Sequence, residues 1–190
     1  MKNAVIVDSV RTAVGRMGGT FINTEVDYLA AKVIDEILAR TGIDKSLVDE
    51  VILGQAKQST DYPNLARLAL LRAGLPIEIP GYTVHRQCGS GVQAINNGVQ
   101  QIMCGLSDII IAGGAESMST APYYLRNARY GFGVGNAEIL DSNTESQPRA
   151  QPIETYGNLT MGIYSMTLTL IFPIGRMISK INRSKPTAVL

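Results

Sequence analysis

Residues 88–106 carry no charged side chain. A neutral stretch of that length, patterned as a helix, is a helix to be buried on most sides, and such burial requires a layered fold around it. Apolar Val92, Ile95, Val99, Ile102 and Met103 recur at helical intervals, with Asn96, Asn97, Gln100 and Gln101 between them. Immediately upstream, Gly81-Tyr82-Thr83-Val84-His85 is an extended run, read as a strand reaching Gln87. Between strand and helix lies Arg86-Gln87-Cys88-Gly89-Ser90-Gly91, so a cysteine stands on the turn where a helix begins.

That position has chemical consequences. The first N–H groups of a helix have no intrahelical partner, and the aligned peptide dipoles leave about half a positive charge there. An anion nearby gains about 0.3–1 kcal/mol, and the thiolate is the nucleophilic form of cysteine. Gly89 and Gly91 have no Cβ, which lets a substrate carbonyl and its carrier come close to the sulfur. Cys88 is therefore the candidate catalytic residue. The competing reading is core filling, because free cysteine is among the most buried residue types. For Cys104, inside the helix, core filling is the expectation.

The rest of the chain up to Ser119 alternates strand and helix patterns. Ala4-Val5-Ile6-Val7 reads as a strand covered on both faces. Residues 11–20 are glycine-rich but match neither dinucleotide nor Walker spacing, and are read as a structural loop. Asp27 precedes a helix over 28–40, whose apolar positions Leu29, Ala30, Val33, Ile34, Ile37 and Leu38 share one face and which Gly42 ends. Val51-Ile52-Leu53-Gly54 is a second buried strand, Asn64 caps a helix running to Ala73, and residues 108–114 form a fourth strand. Such alternation points to an α/β layered fold. After Ser119 the pattern stops, and Tyr123, Tyr124, Tyr130 and Phe132 sit in an irregular excursion.

A net charge of +1 gives no basic footprint for nucleic acid. Two cysteines make no disulfide framework, and one histidine without Cys-x-x-Cys makes no metal site. The N-terminus acquires charge too early for a signal peptide, so a cytoplasmic location is expected. All 16 acidic residues lie before residue 155, whereas 155–190 holds Arg176, Lys180, Arg183 and Lys185 with no acid.

Residues 1–162 resemble the thiolase family of acyl-CoA acetyltransferases. The resemblance is carried by Val10-Arg11-Thr12 with Gly15 and Gly18-Gly19, by Asn64-Ala66-Arg67, and by Gln87-Cys88-Gly89-Ser90-Gly91. It continues through Ala112-Gly113-Gly114 with Glu116-Ser117-Met118-Ser119 to Met161-Gly162. It implies the N-terminal half of a thiolase-like fold, a mixed sheet with helices on both faces, plus the start of a loop domain. The implied division is an α/β domain over 1–118, a partial loop domain over 119–162 and a divergent tail over 163–190.

By the same resemblance Cys88 is the acyl-thioester nucleophile, acting by covalent, ping-pong catalysis on acetyl-CoA or acetoacetyl-CoA. Coenzyme A thioesters are then substrates and no cofactor is held permanently. Met161 falls where the loop domain approaches the pantetheine, although Thr160 stands where many relatives have histidine. His85, often asparagine in relatives, is read as structural. The intact family associates as dimers or tetramers, and no membrane partner is implied. The family's second half supplies an acid/base cysteine and an activating histidine, so incomplete, impaired transfer is expected here, since a helix terminus alone moves no proton. The polar helix expected after Met161-Gly162-Ile163 is replaced by a basic, apolar tail, which is the signature of a frameshift. Residues 166–174 are too short to span a membrane and read as a β-prone, exposed segment. The alternatives are a non-catalytic remnant that binds CoA or associates with full-length thiolase, and a decarboxylating condensing enzyme of the ketoacyl synthase kind.

Overall fold

The computed structural model describes residues 2–171. The chain forms two compact units, Met1–Pro122 and Tyr123–Leu190. The first unit holds α1 (Val26–Thr41), β1 (Glu50–Gly54), α2 (Leu65–Arg72), β2 (Gly81–Val84), α3 (Ser90–Cys104) and β3 (Ile110–Gly114). Its sheet has the order β2-β1-β3, with both pairings parallel. The mixed character expected of the sheet is absent from these three strands.

Alternation along the strands divides the structure into layers. Val51 and Leu53 of β1 join the core with Ala30, Ile34 and Leu38 of α1 and with Leu65, Ala66, Ala69 and Leu70 of α2. On the other face α3 lies close enough that a Cβ on Gly98 would stand 3.2 Å from Ile110 and 3.6 Å from Ala112. Helices thus cover both faces. Burying each large apolar side chain of β1 contributes about 1.5–3 kcal/mol, and Val51 and Ile52 are wholly buried.

Local chemistry explains the boundaries of these elements. Asn64 caps α2 by accepting the Arg67 N–H at 3.2 Å, as expected. Its amide donates to the Gly81 carbonyl at 2.8 Å, and Thr83 Oγ1 donates to Asn64 Oδ1 at 3.0 Å. Arg67 donates to the carbonyls of Ile79 and Ile77 at 2.6 and 2.8 Å. The Asn64-Ala66-Arg67 triplet therefore fastens α2 to the segment that enters β2. Gly42 closes α1 in the left-handed conformation, its N–H donating to the Leu38 carbonyl at 3.0 Å.

Several expectations are corrected. Residues 4–7 form no strand, and Val5, Ile6 and Val7 are about three-quarters exposed, at 76%, 79% and 73%. Among the described residues no strand pairs with this run, and an apolar run without a ladder has nothing to hold it extended and covered. Asp27 does not precede its helix but lies in the first turn of α1. There it is 2% exposed and paired with Arg72 Nη2 at 2.6 Å, while that guanidinium stacks 3.6 Å from the centre of the Tyr28 ring. Helix α3 is buried only through Ser90, Ala94 and Gly98, and Val92, Ile95, Met103 and the following Leu106 are exposed. Cys104 shares that uncovered side and fills no core. Charge is absent from α3 because its amides pair with neighbours: Gln93 with Asn97 at 2.7 Å, Asn97 with the Tyr82 hydroxyl at 3.1 Å, and Gln101 with Glu50 at 2.7 Å.

The second unit is less irregular than its sequence suggests. Strands β4 (Tyr123–Leu125) and β5 (Ile139–Asp141) pair antiparallel, followed by α4 (Ser142–Ser146), α5 (Ile153–Tyr156) and α6 (Met161–Ile171). Residues 166–171 are helical, which replaces the β-prone reading for that stretch. Without a neighbouring strand, the backbone satisfies itself locally through i to i−4 bonds. Residues 172–174 of the same run lie outside the described residues.

Candidate active site

Strands β2, β1 and β3 end side by side at Val84, Gly54 and Gly114. The carboxyl edge of a parallel sheet is where loops converge and ligands bind in folds of this class. The turn from β2 into α3 stands at this edge and carries Cys88, which is exposed. The expected strand stops at Val84, and His85 to Gly89 form the turn.

The turn is held by strained and buried parts. Gln87, the residue before the cysteine, has φ of 49°, a left-handed conformation uncommon for a residue with a side chain. It persists because its surroundings over-determine it. Ser90 is 4% exposed; its hydroxyl donates to the Gln87 carbonyl at 2.5 Å and accepts the Arg86 N–H at 2.9 Å. Backbone bonds from Gly89 to Arg86 at 3.1 Å and from Ser90 to Gln87 at 3.0 Å complete the knot. One hydroxyl, two residues past Cys88, thus ties the helix start to both residues that precede the cysteine. Ser90 is a functional residue beyond those the sequence marks; its signal there is a serine opening a charge-free helix after Cys-Gly.

No side chain caps α3 and its first turn holds no acid, so its N-terminal positive end stays open to an anion at the cysteine. The start of α3 also sits directly on the strand ends. A Cβ on Gly54 would lie 2.2 Å from the Ser90 backbone carbon, and one on Gly114 would lie 2.9 Å from the Gly54 carbonyl. Gly89 and Gly91 face no such demand, since their Cβ atoms would meet protein at 3.4 and 3.9 Å.

Beside the turn, His85 Nε2 lies 3.0 Å from the Ala56 carbonyl. A carbonyl only accepts, so Nε2 carries the hydrogen. Glu116 accepts the Ala56 N–H at 2.8 Å and the Lys57 N–H at 3.0 Å. Burial of its carboxyl pushes Glu116 above the ordinary carboxylate range, against the pull of those two N–H groups and of the Lys57 and His85 charges. The glycine-rich loop makes its own turns, and Gly18 N–H donates to Ser119 Oγ at 3.0 Å, which joins two of the matching motifs. Met161 belongs to the second unit, where it opens α6 with its N–H on Gln147 Oε1 at 3.3 Å. Among the described residues no group of three His, Cys, Asp or Glu side chains could hold a metal ion, and no helix is long and apolar enough to cross a membrane.

Residues 4–177 match the family model described as thiolase, N-terminal domain. The chain belongs to the thiolase family. The match runs past Gly162, where the resemblance was expected to stop. An acetyl-CoA acetyltransferase of Pseudomonas aeruginosa is 44% identical over 145 residues, 76% of this chain and 37% of that protein. One from Chromobacterium violaceum is 39% identical over 171 residues, 90% of this chain and 43% of that protein. The crystal structure of the Bacillus anthracis acetyl-CoA acetyltransferase superposes with a TM-score of 0.85 at 40% identity, covering 92% of this chain and 43% of that one. This thiolase chain thus spans about two fifths of the length of the relatives it matches.

Proposed function

We propose that this thiolase chain carries the nucleophilic half of a thiolase-type acyl transfer, with Cys88 as the residue that accepts the acyl group from coenzyme A thioesters. The observation that carries the reading is the exposed cysteine on a strained turn at the open N-terminus of α3, on the carboxyl edge of a parallel sheet. In the first half-reaction the Cys88 thiolate adds to the thioester carbonyl of acetyl-CoA. The carbon–sulfur bond to coenzyme A breaks, and the CoA thiolate leaves with the electron pair. The lack of a Cβ at Gly89 and Gly91 favours close approach of that carbonyl, and protein packing does not itself require glycine there, since a Cβ would meet protein only at 3.4 and 3.9 Å.

The second half-reaction is carbon–carbon bond formation or thiolysis, and it needs groups that move protons. His85 is the chain's only histidine, and its Nε2 hydrogen is committed to Ala56. Proton transfer is therefore assigned to groups of a complete thiolase other than this turn, and acyl transfer by this chain alone is impaired. Met161 is proposed as a pantetheine contact, coenzyme A thioesters as substrates with no permanently bound cofactor, a homo-oligomer as the assembled state, and the cytoplasm as the compartment. Domain limits of 1–118 and 119–162, with a divergent tail from 163, go with this reading.

Incubation of the folded chain with acetyl-CoA, followed by peptide mapping, tests it. Acetylation is expected on Cys88 and not on Cys104, with release of free CoA thiol. Unmodified Cys88 in a folded sample would overturn the assignment. The uncovered side of α3 favours a second reading, a non-catalytic remnant that associates with full-length thiolase. Co-elution with a full-length relative, with no acetylation, would put that reading in place of the first.

A further inference from the structure

We infer that Glu116 is a positioning residue for the Cys88 turn, acting as a clasp across the carboxyl edge of the sheet. The three strand ends lie in the order β2-β1-β3, and each contributes its next residues to one network. From the β3 side, the Glu116 carboxylate takes the Ala56 N–H at 2.8 Å and the Lys57 N–H at 3.0 Å. From the β2 side, His85 takes the Ala56 carbonyl at 3.0 Å. The peptide that follows the central strand is thereby gripped from both flanks. His85 then leads directly into Arg86, whose N–H ends on the Ser90 hydroxyl that also holds Gln87. The path from the carboxylate to the cysteine runs through hydrogen bonds and two residues of backbone.

An ordinary fold-stabilising glutamate would hold two loops together and do no more. This one differs in where the grip is transmitted. The far end of its network is the turn backbone that enters a left-handed Gln87, a conformation that relaxes once its neighbours loosen. Bonds to an ionised acceptor are about twice as strong as neutral ones, so the grip follows the charge state of Glu116. The charges that act on this carboxylate are Lys57 and His85. Desolvation places its titration above the ordinary carboxylate range. This role serves the reaction proposed above, yet it is tested by a chemistry that needs no acyl transfer.

The test is alkylation of the full chain by iodoacetamide as a function of pH, with the rates at Cys88 and Cys104 read separately by peptide mass spectrometry. Cys104 ends α3, is exposed, and serves as the reference within the same molecule. Glu116→Gln is expected to slow Cys88 on the order of threefold to tenfold while Cys104 keeps its rate. The wild-type ratio of the two rates should step as Glu116 ionises, and that step should vanish in Glu116→Gln. His85→Ala should slow Cys88 similarly, and the double variant should fall short of the product of the two effects. An unchanged ratio in folded Glu116→Gln and His85→Ala would overturn the inference. Should either variant fail to fold, a flat wild-type ratio through the Glu116 titration overturns it without them. Acetylation of Cys88 with an unmoved ratio would sink the clasp alone, whereas a moved ratio without acetylation would sink the acyl-transfer reading alone.

Discussion

At the scale of single residues, the site depends on atoms that its best-known member does not supply. Ser90 is the clearest case: its buried hydroxyl binds groups on both residues that precede Cys88. Ser90→Ala leaves the Gln87 carbonyl and the Arg86 N–H without that partner. The expected loss is about 1–3 kcal/mol of stability, read as a lower urea midpoint, together with slower acetylation of Cys88. A variant with the wild-type midpoint and wild-type acetylation would show that the backbone bonds hold the turn unaided. The cysteine, its turn and its helix start were legible in the sequence, because strand pattern, glycines and loss of charge coincide there. The left-handed Gln87 is not, since glutamine has no intrinsic preference for that conformation and the bonds from Gly89 and Ser90 that hold it form only once the turn is made. Glycine is legible as a signal, but its packing demands are not. Gly89 and Gly91 leave a substrate room at the sulfur, whereas at Gly54 and Gly114 protein packing itself leaves no room for a Cβ.

At the scale of elements, the caps and periodicities read from sequence largely hold. Helix α1 buries Ala30, Ile34 and Leu38 from the expected face, and Asn64 caps α2. Asn64 does more than cap, since it also reaches Gly81 and Thr83 of β2. Asn64→Ala should therefore cost more than the ~1 kcal/mol typical of a lost cap, roughly 2–3 kcal/mol when the two further bonds are included. Thermal melts of Asn64→Ala against Asn64→Ser measure the excess, and equal melting temperatures would reduce the residue to a simple cap. Two elements depart from their sequence patterns for physical reasons. A strand is completed by its neighbour, and the apolar content of residues 4–7 carries no information on whether a ladder forms beside it. The neutrality of α3 suggested burial on most sides, but its glutamines and asparagines spend their polarity on Tyr82, Glu50 and one another, which removes charge without requiring a cover.

At the scale of the whole molecule, ionisation pulls stability in two directions. Asp49 lies below the ordinary aspartate range because it accepts the backbone N–H groups of Ile109 and, next, Asp108, outweighing desolvation. A lowered acid contributes stability that is present above its unfolded value, about 3.9, and is lost as the pH falls through the folded value. Glu116 lies above its ordinary range through burial, so its contribution has the opposite sign: present below the unfolded value and lost as the pH rises through the folded one. Asp49→Asn should then lower the urea midpoint at pH 7, and the difference from wild type should shrink on acidification. Glu116→Gln should compare most favourably with wild type at the alkaline end. Midpoints across pH for both variants check the signs, and a pH-independent difference for Asp49→Asn would contradict the first.

The sheet order also sets a timetable. Both outer strands pair onto β1, the first of the three to be made, with Leu53 opposite Thr83 and Gly113. A ribosome adding about 5–20 residues each second delivers the last of those partners roughly 3–12 s after the first strand. During that interval Val51, Ile52 and Leu53 have α1 and then α2 to shelter one face, while the edge meant for β3 stays unpaired. A nascent chain of this topology is thus exposed to wrong neighbours for seconds before its own third strand arrives.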